Sequence, residues 1–542
     1  MAGTKIASLA RSSAIMTAGT LVSRILGLVK TMMLALAIGV TAGGAADAFD
    51  VANKVPNNLY MLLAGGVLNA VLVPQIVRAA KQPDGGRDFT DRLLTLTVGL
   101  LFAFTAIATL FAPGFVHLYS SNSWSGEKTA LAVAFAYWCL PQIFFYGLYT
   151  MLGQVLNAKS SFGPYMWAPV VNNLVSMAGL GAFILMFGPG RMGQHAVGTW
   201  DAQKITVLAG SATLGVVAQA LVLLWPLYRI GFRYRPRFGF RGVGLGRAGK
   251  VAGWTFGAVL LGQLGFIITS RVASQASSNG AEVSASNAAY SVAYLIFMLP
   301  HSLVAVSLAT ALFTPLSSAA AEGDTPAVVR QFSTGTRLVG LVNMFFTAAL
   351  IALAGPVAMV IGGGTTEQAI ALGIIIVTMV LGLVPFSANY LLQRVFYAYE
   401  DARTPFFVQV PQVLITAAGV LVSSSLPPRL IVAGIGASMT LGYIVACALS
   451  AILLRRRIGT LGLRAIIGAH VRFAIAGIVA SLAGTALLRL VGPEAWDTQV
   501  SALLTGTWIG IVILALYLGV CWVLGVTELR QLQATVRAKL KR

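Results

Sequence analysis

Fourteen apolar runs, each longer than twenty residues, follow one another through this 542-residue sequence, and they restrict what the chain can fold into. A backbone inside hydrocarbon must satisfy every N–H and C=O internally, which leaves helices or a closed barrel. A barrel strand needs only about ten residues, whereas a spanning helix needs about twenty. The runs are therefore read as helices, at roughly 12–39, 47–78, 92–118, 129–157, 162–187, 203–230, 250–276, 283–313, 331–360, 367–397, 405–426, 429–454, 466–490 and 500–526. Only 10% of the residues are charged, against about 25% in a soluble domain. The expected fold class is an all-α integral membrane protein. The first run is too long for a cleaved signal peptide and has no small-residue cleavage site, so it is expected to stay as a span.

Thirty-seven Lys and Arg against sixteen Asp and Glu give a net charge of +21. Most of the cations lie between the apolar runs, the ordinary distribution for cytoplasmic loops, so nucleic acid is not expected as a partner. Loops after even-numbered spans carry Arg78, Lys81 and Arg87, then Lys159, then Arg229, Arg233, Arg235, Arg237 and Arg241. Arg403 and Arg455-Arg456-Arg457 continue the series, while 40–46, 277–281 and 361–366 hold no Lys or Arg. The positive-inside rule then places both termini in the cytoplasm, as an even span count also requires.

The chain contains an internal repeat. Ala70 to Pro74 matches Ala311 to Pro315 at an offset of 241. Leu156-Asn157-Ala158, Pro164 and Pro169 match Phe396-Tyr397-Ala398, Pro405 and Pro411 at offsets of 240, 241 and 242. Six-span repeats of equal topology are related by an axis along the membrane normal, with a substrate site expected near the midplane between them. The expected organisation is a six-helix lobe over 1–235 and a second over 236–456. An appended helix pair over 457–526 and a basic cytoplasmic tail over 527–542 complete it.

Enzyme chemistry finds no support. The sequence has no phosphate-loop motif. Its four histidines are scattered without metal-ligand spacing, so no metal and no cofactor are expected. Cys139, Cys447 and Cys521 all lie in apolar runs, which implies no disulfide framework.

The charges of the first two spans are different. Arg24 and Lys30 fall in the first, and Asp47, Asp50 and Lys54 in the second, ahead of Pro56. Intramembrane charge is costly and marks a functional site or a satisfied pair. The i, i+3, i+7 spacing of Asp47, Asp50 and Lys54 puts them on one helical side. Pro56 lacks the amide that would bond toward residue 52, so a kink or opening is expected there. Two arrangements fit the acids: they line a water-filled cavity, or they sit at a span end and pair with Lys54. Arg24 reads as a ligand for an anionic group such as phosphate or as one half of an interhelical pair. Arg271, in span seven, either faces the same cavity from the second lobe or snorkels to the outer surface.

Ser23-Arg24-Ile25-Leu26-Gly27, Asp47-Ala48-Phe49, Val55-Pro56-Asn57 and Val73-Pro74 resemble the MurJ (MviN) lipid II flippases. Leu156-Asn157-Ala158 with Ala168-Pro169 and Asn172 resembles the second conserved block of that family. Phe396-Tyr397-Ala398 with Asp401 and Thr404-Pro405 resembles the third. The likeness covers about the first 455 residues in matching order. It implies a MATE-like exporter with fourteen helices, resident in the bacterial cytoplasmic membrane. Such a protein moves undecaprenyl-pyrophosphate-linked peptidoglycan precursor, lipid II, from the inner to the outer leaflet.

On that resemblance the basic and acidic positions of the headgroup cavity fall on Arg24, Lys30, Asp47 and Lys54; Ser23 and Asn57, in the same motifs, and Arg271, as a second-lobe candidate, complete the expected site. Relatives often carry an Arg-Arg pair and a Glu where this chain has Tyr60-Met61 and Gly65, and the 294–300 stretch is uncharged here. The cavity is accordingly less basic than in those relatives. A sodium site of the kind some relatives hold in their second lobe is not expected, because from residue 316 onward every Asp and Glu falls at a span end or in a loop. Without a nucleotide motif, coupling would come from the membrane potential, a monovalent ion gradient or removal of product. Partners expected besides lipid II are membrane lipids and proteins of cell-wall synthesis or division. The alternatives are a flippase for another polyprenyl-linked glycan and a non-transporting scaffold of a cell-wall synthesis complex.

Overall fold

Helices account for all the regular structure among the described residues, as the apolar runs require. The computed structural model describes residues 2–41, 44–64, 87–159, 161–190, 195–238, 245–277 and 285–529; side chains are described from residue 18 onward, apart from 87, 245–252 and 255. Thirteen helices among the described residues are long and apolar enough to cross a membrane. They correspond to every expected span except the second. That span is described only as far as residue 64, and its helix carries Asp47, Asp50 and Lys54. Pro74, Gly65-Gly66, Arg78, Lys81, Arg241 and the tail from 530 onward lie outside the described residues.

The chain forms two compact units, 1–274 and 275–542. In the first, α1 (Ala2–Ile38) packs along α7 (Phe162–Phe187), which also contacts α8 (Ser211–Leu221). Helix α2 (Gly44–Leu63) packs against α5 (Gly126–Cys139) and α6 (Gln142–Ala158). Helix α3 (Arg87–Leu110) leans on α6, α4 (Ala112–Tyr119) continues toward α5, and α9 (Leu245–Gln275) closes the unit. Span four is two helices rather than one. Pro141 sits at the junction, where a proline cannot supply the amide a continuous helix needs. Pro56 does not end its helix: α2 runs on through it to Leu63. A buried cluster around Leu93, Met151, Leu156 and Leu223 forms one core of this unit. The basic segment 232–238 lies on α3, where Arg237 pairs with Asp88 and the Tyr234 hydroxyl is 2.9 Å from that of Thr95.

The second unit contains α10 (Asn287–Pro300), α11 (Ser307–Ala321), α12 (Thr325–Ala352), α13 (Ala354–Gly362) and α14 (Thr366–Val380). It continues with α15 (Leu383–Ala398), α16 (Arg403–Ser423), α17 (Pro428–Ile458), α18 (Leu463–Val491) and α19 (Gln499–Val523). A π-helical turn at His301–Val306 joins α10 to α11 directly after Pro300. The C-terminal pair packs into this unit, α18 against α12 and α19 against α13. Phe473, Ala476, Ile509 and Ile513 are fully buried there, and Tyr517 donates to the Leu341 carbonyl at 2.7 Å. The helices that the repeat pairs have like construction. Helices α6 and α15 end at Ala158 and Ala398, and α7 and α16 each carry proline as third residue and another further in.

Candidate functional site

The charges of α1 and α2 are sorted by helix geometry. Six residues separate Arg24 from Lys30, about 9 Å of rise and about 120° of rotation, so the two cations leave α1 in different directions. Ser23, just ahead of Arg24, is tied to α7, whose Asn173 Nδ2 donates to the Ser23 carbonyl at 2.8 Å. Arg24 itself is half-buried and makes no ion pair or hydrogen bond among the described residues. An arginine fixed at its base with its fork unengaged suits an incoming oxyanion, which it can bind bidentately.

The acids of α2 are already engaged. Asp50 pairs with Lys54 at 2.7 Å, one helical turn on, and the Lys54 ammonium lies 5.5 Å from the Phe266 ring centroid of α9. Asp47 turns to a different neighbour, Lys128 of α5, at 3.3 Å. Both members of that pair are almost fully buried, and Lys128 also sits 4.2 Å over the Trp124 ring. The spacing of Asp47, Asp50 and Lys54 suggested a single grouping; the fold separates it into two ion pairs. Lys128 had no place in the sequence-based site. The only hint was a lone cation at the edge of an otherwise apolar run.

Asn57 is half-buried beside Pro56. Arg271 belongs with the first unit, where its Nη1 donates to the His117 carbonyl at 2.9 Å and its Nη2 to Asn122 Oδ1 at 3.0 Å. The Ser270 hydroxyl donates to the Tyr119 carbonyl at 2.8 Å, and Trp124 Nε1 to the Ser274 carbonyl at 3.0 Å. These bonds hold the end of α9 to the segment 117–124.

Lys30 lines a cavity of about 80 Å³ inside the first unit. Its walls come from α1 (Lys30, Thr31, Leu34), α2 (Phe49, Asn53), α6 (Gln142, Tyr146), α7 (Asn172, Ser176, Leu180) and the start of α8 (Ser211, Ala212, Val216), with Leu208 in the preceding turn. Every polar wall group besides Lys30 is neutral. Gly215 makes the wall possible: a Cβ there would collide with the Ser176 hydroxyl and the Asn172 side-chain oxygen. Arg24, Asp47, Lys54, Asn57 and Arg271 are not among the lining residues. The fold thus brings Lys30 together with Asn53 and Gln142 rather than with the other cations.

Known proteins agree in both sequence and fold. The family model described as lipid II flippase MurJ matches residues 34–507. A probable lipid II flippase MurJ from Rhizobium meliloti (strain 1021) is 27% identical over 473 residues, 83% of this chain and 81% of that protein. The lipid II flippase MurJ of Burkholderia cenocepacia is 27% identical over 527 residues, 93% and 95% of the two chains. Among solved structures, a lipid II flippase MurJ in an inward closed conformation superposes with a TM-score of 0.71 at 15% identity, covering 93% of this chain and 98% of that one. An inward-facing multidrug resistance MATE family transporter of the MOP superfamily reaches 0.64 at 16% identity, covering 81% and 95%. With a family match across nearly the whole helical region and thirteen candidate spans in its fold, this chain belongs to the lipid II flippase MurJ family, as a multi-pass protein of the bacterial inner membrane.

Proposed function

We propose that this protein flips lipid II from the inner to the outer leaflet of the cytoplasmic membrane by alternating access. The observation that carries the reading is Arg24: a guanidinium within a membrane-spanning helix, anchored beside Ser23 and engaging no acid among the described residues. An intramembrane cation without a counter-charge is expensive, and an anionic substrate offsets the cost when it binds. Arg24 is assigned to the pyrophosphate, with Lys54 and Asn57 toward the sugar end of the headgroup. The Asp50 partner of Lys54 keeps that ammonium oriented. Asp47 is a structural acid for α5, with any role in gating exerted through Lys128.

The chain is a transporter with no chemical step of its own, and its termini face the cytoplasm. Coupling to the membrane potential is the simplest energy source, since about 2.3 kcal/mol is available per charge per 100 mV. Replacing Arg24 by Ala in a flippase-depleted strain tests the assignment. We expect loss of complementation with normal insertion and an inner-leaflet build-up of lipid II; full growth on the variant would remove Arg24 from the mechanism. Accumulation of a different polyprenyl-linked glycan on depletion would reassign the substrate.

A further inference from the structure

His301 opens the π-helical turn between α10 and α11 in the second unit, within a membrane-spanning stretch, and only 2% of its surface is exposed. Turns widened in this way recur at functional sites. Asn343 of α12 and Ser387 of α15 meet it there, both fully buried. Asn343 Nδ2 donates to Ser387 Oγ at 2.8 Å, and Ser387 Oγ lies 2.9 Å from His301 Nδ1. With one lone pair of its oxygen taken by Asn343, the Ser387 hydroxyl donates to Nδ1. In this polarity the imidazole is neutral and Nδ1 is an acceptor.

The same chain of three can run in reverse. A protonated ring donates from Nδ1 to Ser387 Oγ, and Ser387 then donates to Asn343. For that the Asn343 amide turns by half a revolution, which puts its oxygen nearly where its NH₂ was. Asn343 Oδ1 is buried without a hydrogen-bond partner among the described residues, so the turn breaks no bond on that side. Both protonation states of His301 therefore keep the same two hydrogen bonds.

The surroundings decide how firmly a proton is held. The turn packs against α10, α11, α12 and α15, and neither those helices nor the turn contains an Asp or Glu. Their ionisable groups are Tyr290 and Tyr294 on α10, Arg330 and Arg337 on α12, and Tyr390, Arg394 and Tyr397 on α15, with none on α11. Arg337 pairs with Glu528, and Arg394 donates to the Tyr390 hydroxyl. The Phe386 and Tyr390 rings, with centroids 4.4 and 5.2 Å from that of His301, attract a cationic imidazole where a carboxylate is missing. A carboxylate neighbour would hold the proton tightly; aromatic rings and two reversible hydrogen bonds let it go again, which a carrier requires.

We propose that His301 binds and releases one proton in each transport cycle, with the Asn343–Ser387–His301 chain reversing as it does. The proton is taken from water on one side of the membrane, bonds to Nδ1 and leaves to water on the other side, so one positive charge moves per turnover. The proposal rests on the chain being an alternating-access transporter and is separate from the headgroup assignment at Arg24.

The test uses the purified full-length protein in liposomes holding fluorescently labelled lipid II, with pyranine trapped inside to follow protons. The native protein should move protons as it flips, at a rate that changes about tenfold between pH 5 and pH 8. His301→Gln should lose the proton signal, and the flipping it retains should vary by less than about twofold over that range. Asn343→Asp, which sets a carboxylate beside Ser387, should raise the midpoint of the pH profile by about one unit. Nitrogen NMR of protein labelled at histidine, with the His301 signals identified by their loss in His301→Gln, should show this ring taking up a proton between about pH 5 and pH 8. Flipping by the native protein without proton movement, a proton signal that survives His301→Gln, or His301 nitrogens that do not titrate would each overturn the proposal. A native protein that flips no lipid II at any pH would instead overturn the flippase reading, and the nitrogen titration alone would then decide the proton site.

Discussion

Asp47 and Lys128, 81 residues apart, form an ion pair at 3.3 Å with 2% and 4% of their surfaces exposed. The pair joins α2 to α5, and the Trp124 ring covers the ammonium. A buried ion pair is weak evidence of stabilisation by itself, because desolvation offsets attraction, but removing one partner leaves a stranded charge.

Asp47→Asn and Lys128→Met should therefore each destabilise the protein by roughly 3–5 kcal/mol, and Asp47→Leu combined with Lys128→Met should recover most of the loss. Thermal unfolding of the singles and the double in detergent checks this. A double variant as unstable as the sum of the singles would show that the pair is not the source of the effect.

Arg24 behaves in the opposite way. Having no partner among the described residues, it should be replaceable by Ala with a stability change within about 0.5 kcal/mol while transport is lost. Arg24→Lys should restore growth only in part, since an ammonium cannot reproduce a two-pronged contact with an oxyanion. Growth assays paired with unfolding midpoints separate the two effects.

Gly215→Ala should cost about 1–3 kcal/mol, because the new methyl group meets polar atoms of Ser176 and Asn172 held by their own hydrogen bonds. The measurement is the unfolding midpoint of the variant. A neutral result would mean that α8 can retreat from α7 at no cost.

Acid sensitivity should trace to Asp401, in the turn between α15 and α16. Burial alone would raise its carboxyl, but the Thr404 amide at 2.9 Å, the Thr404 hydroxyl at 2.7 Å and Arg457 at 2.6 Å outweigh that and hold it below the usual carboxylate range. With the folded value below the unfolded one, its contribution is complete above the unfolded value of about 3.9 and fades as pH falls through the folded one. Asp401→Asn should lower stability near neutrality by about 1 kcal/mol and flatten the loss below pH 4. Midpoints recorded from pH 6 to pH 3 provide the comparison; parallel curves for the native protein and the variant would count against it.

Much of this architecture was legible without coordinates. The helices follow the apolar runs because hydrocarbon offers the backbone no other partner, and they follow them closely from α3 onward. The prolines marked structure too, in the matched helices α7 and α16, whereas the break at Pro141 within the fourth run was not read from the sequence. Helix α2 continues through Pro56 to Leu63, so the missing amide does not stop the helix. The headgroup residues were legible as types and as a motif, but their companions were not. Periodicity placed Asp47, Asp50 and Lys54 together because it knows one helix at a time. Asp47 finds Lys128 only when α5 is laid against α2.

Hydropathy, charge and motif along the chain are enough to establish the class of molecule, its spans, its family and the unusual presence of Arg24 and Lys30 within an apolar helix. Those properties rest on local quantities, hydropathy and charge along one chain. Tertiary structure alone decided which charges are neutralised and which are not. It paired Asp47 with Lys128 across two helices, left Arg24 without a partner among the described residues, and put Lys30 in a cavity walled by neutral groups. The physical reason is that the energy of a charge inside a membrane protein depends on what lies within a few ångströms of it, and those neighbours come from helices far away in sequence.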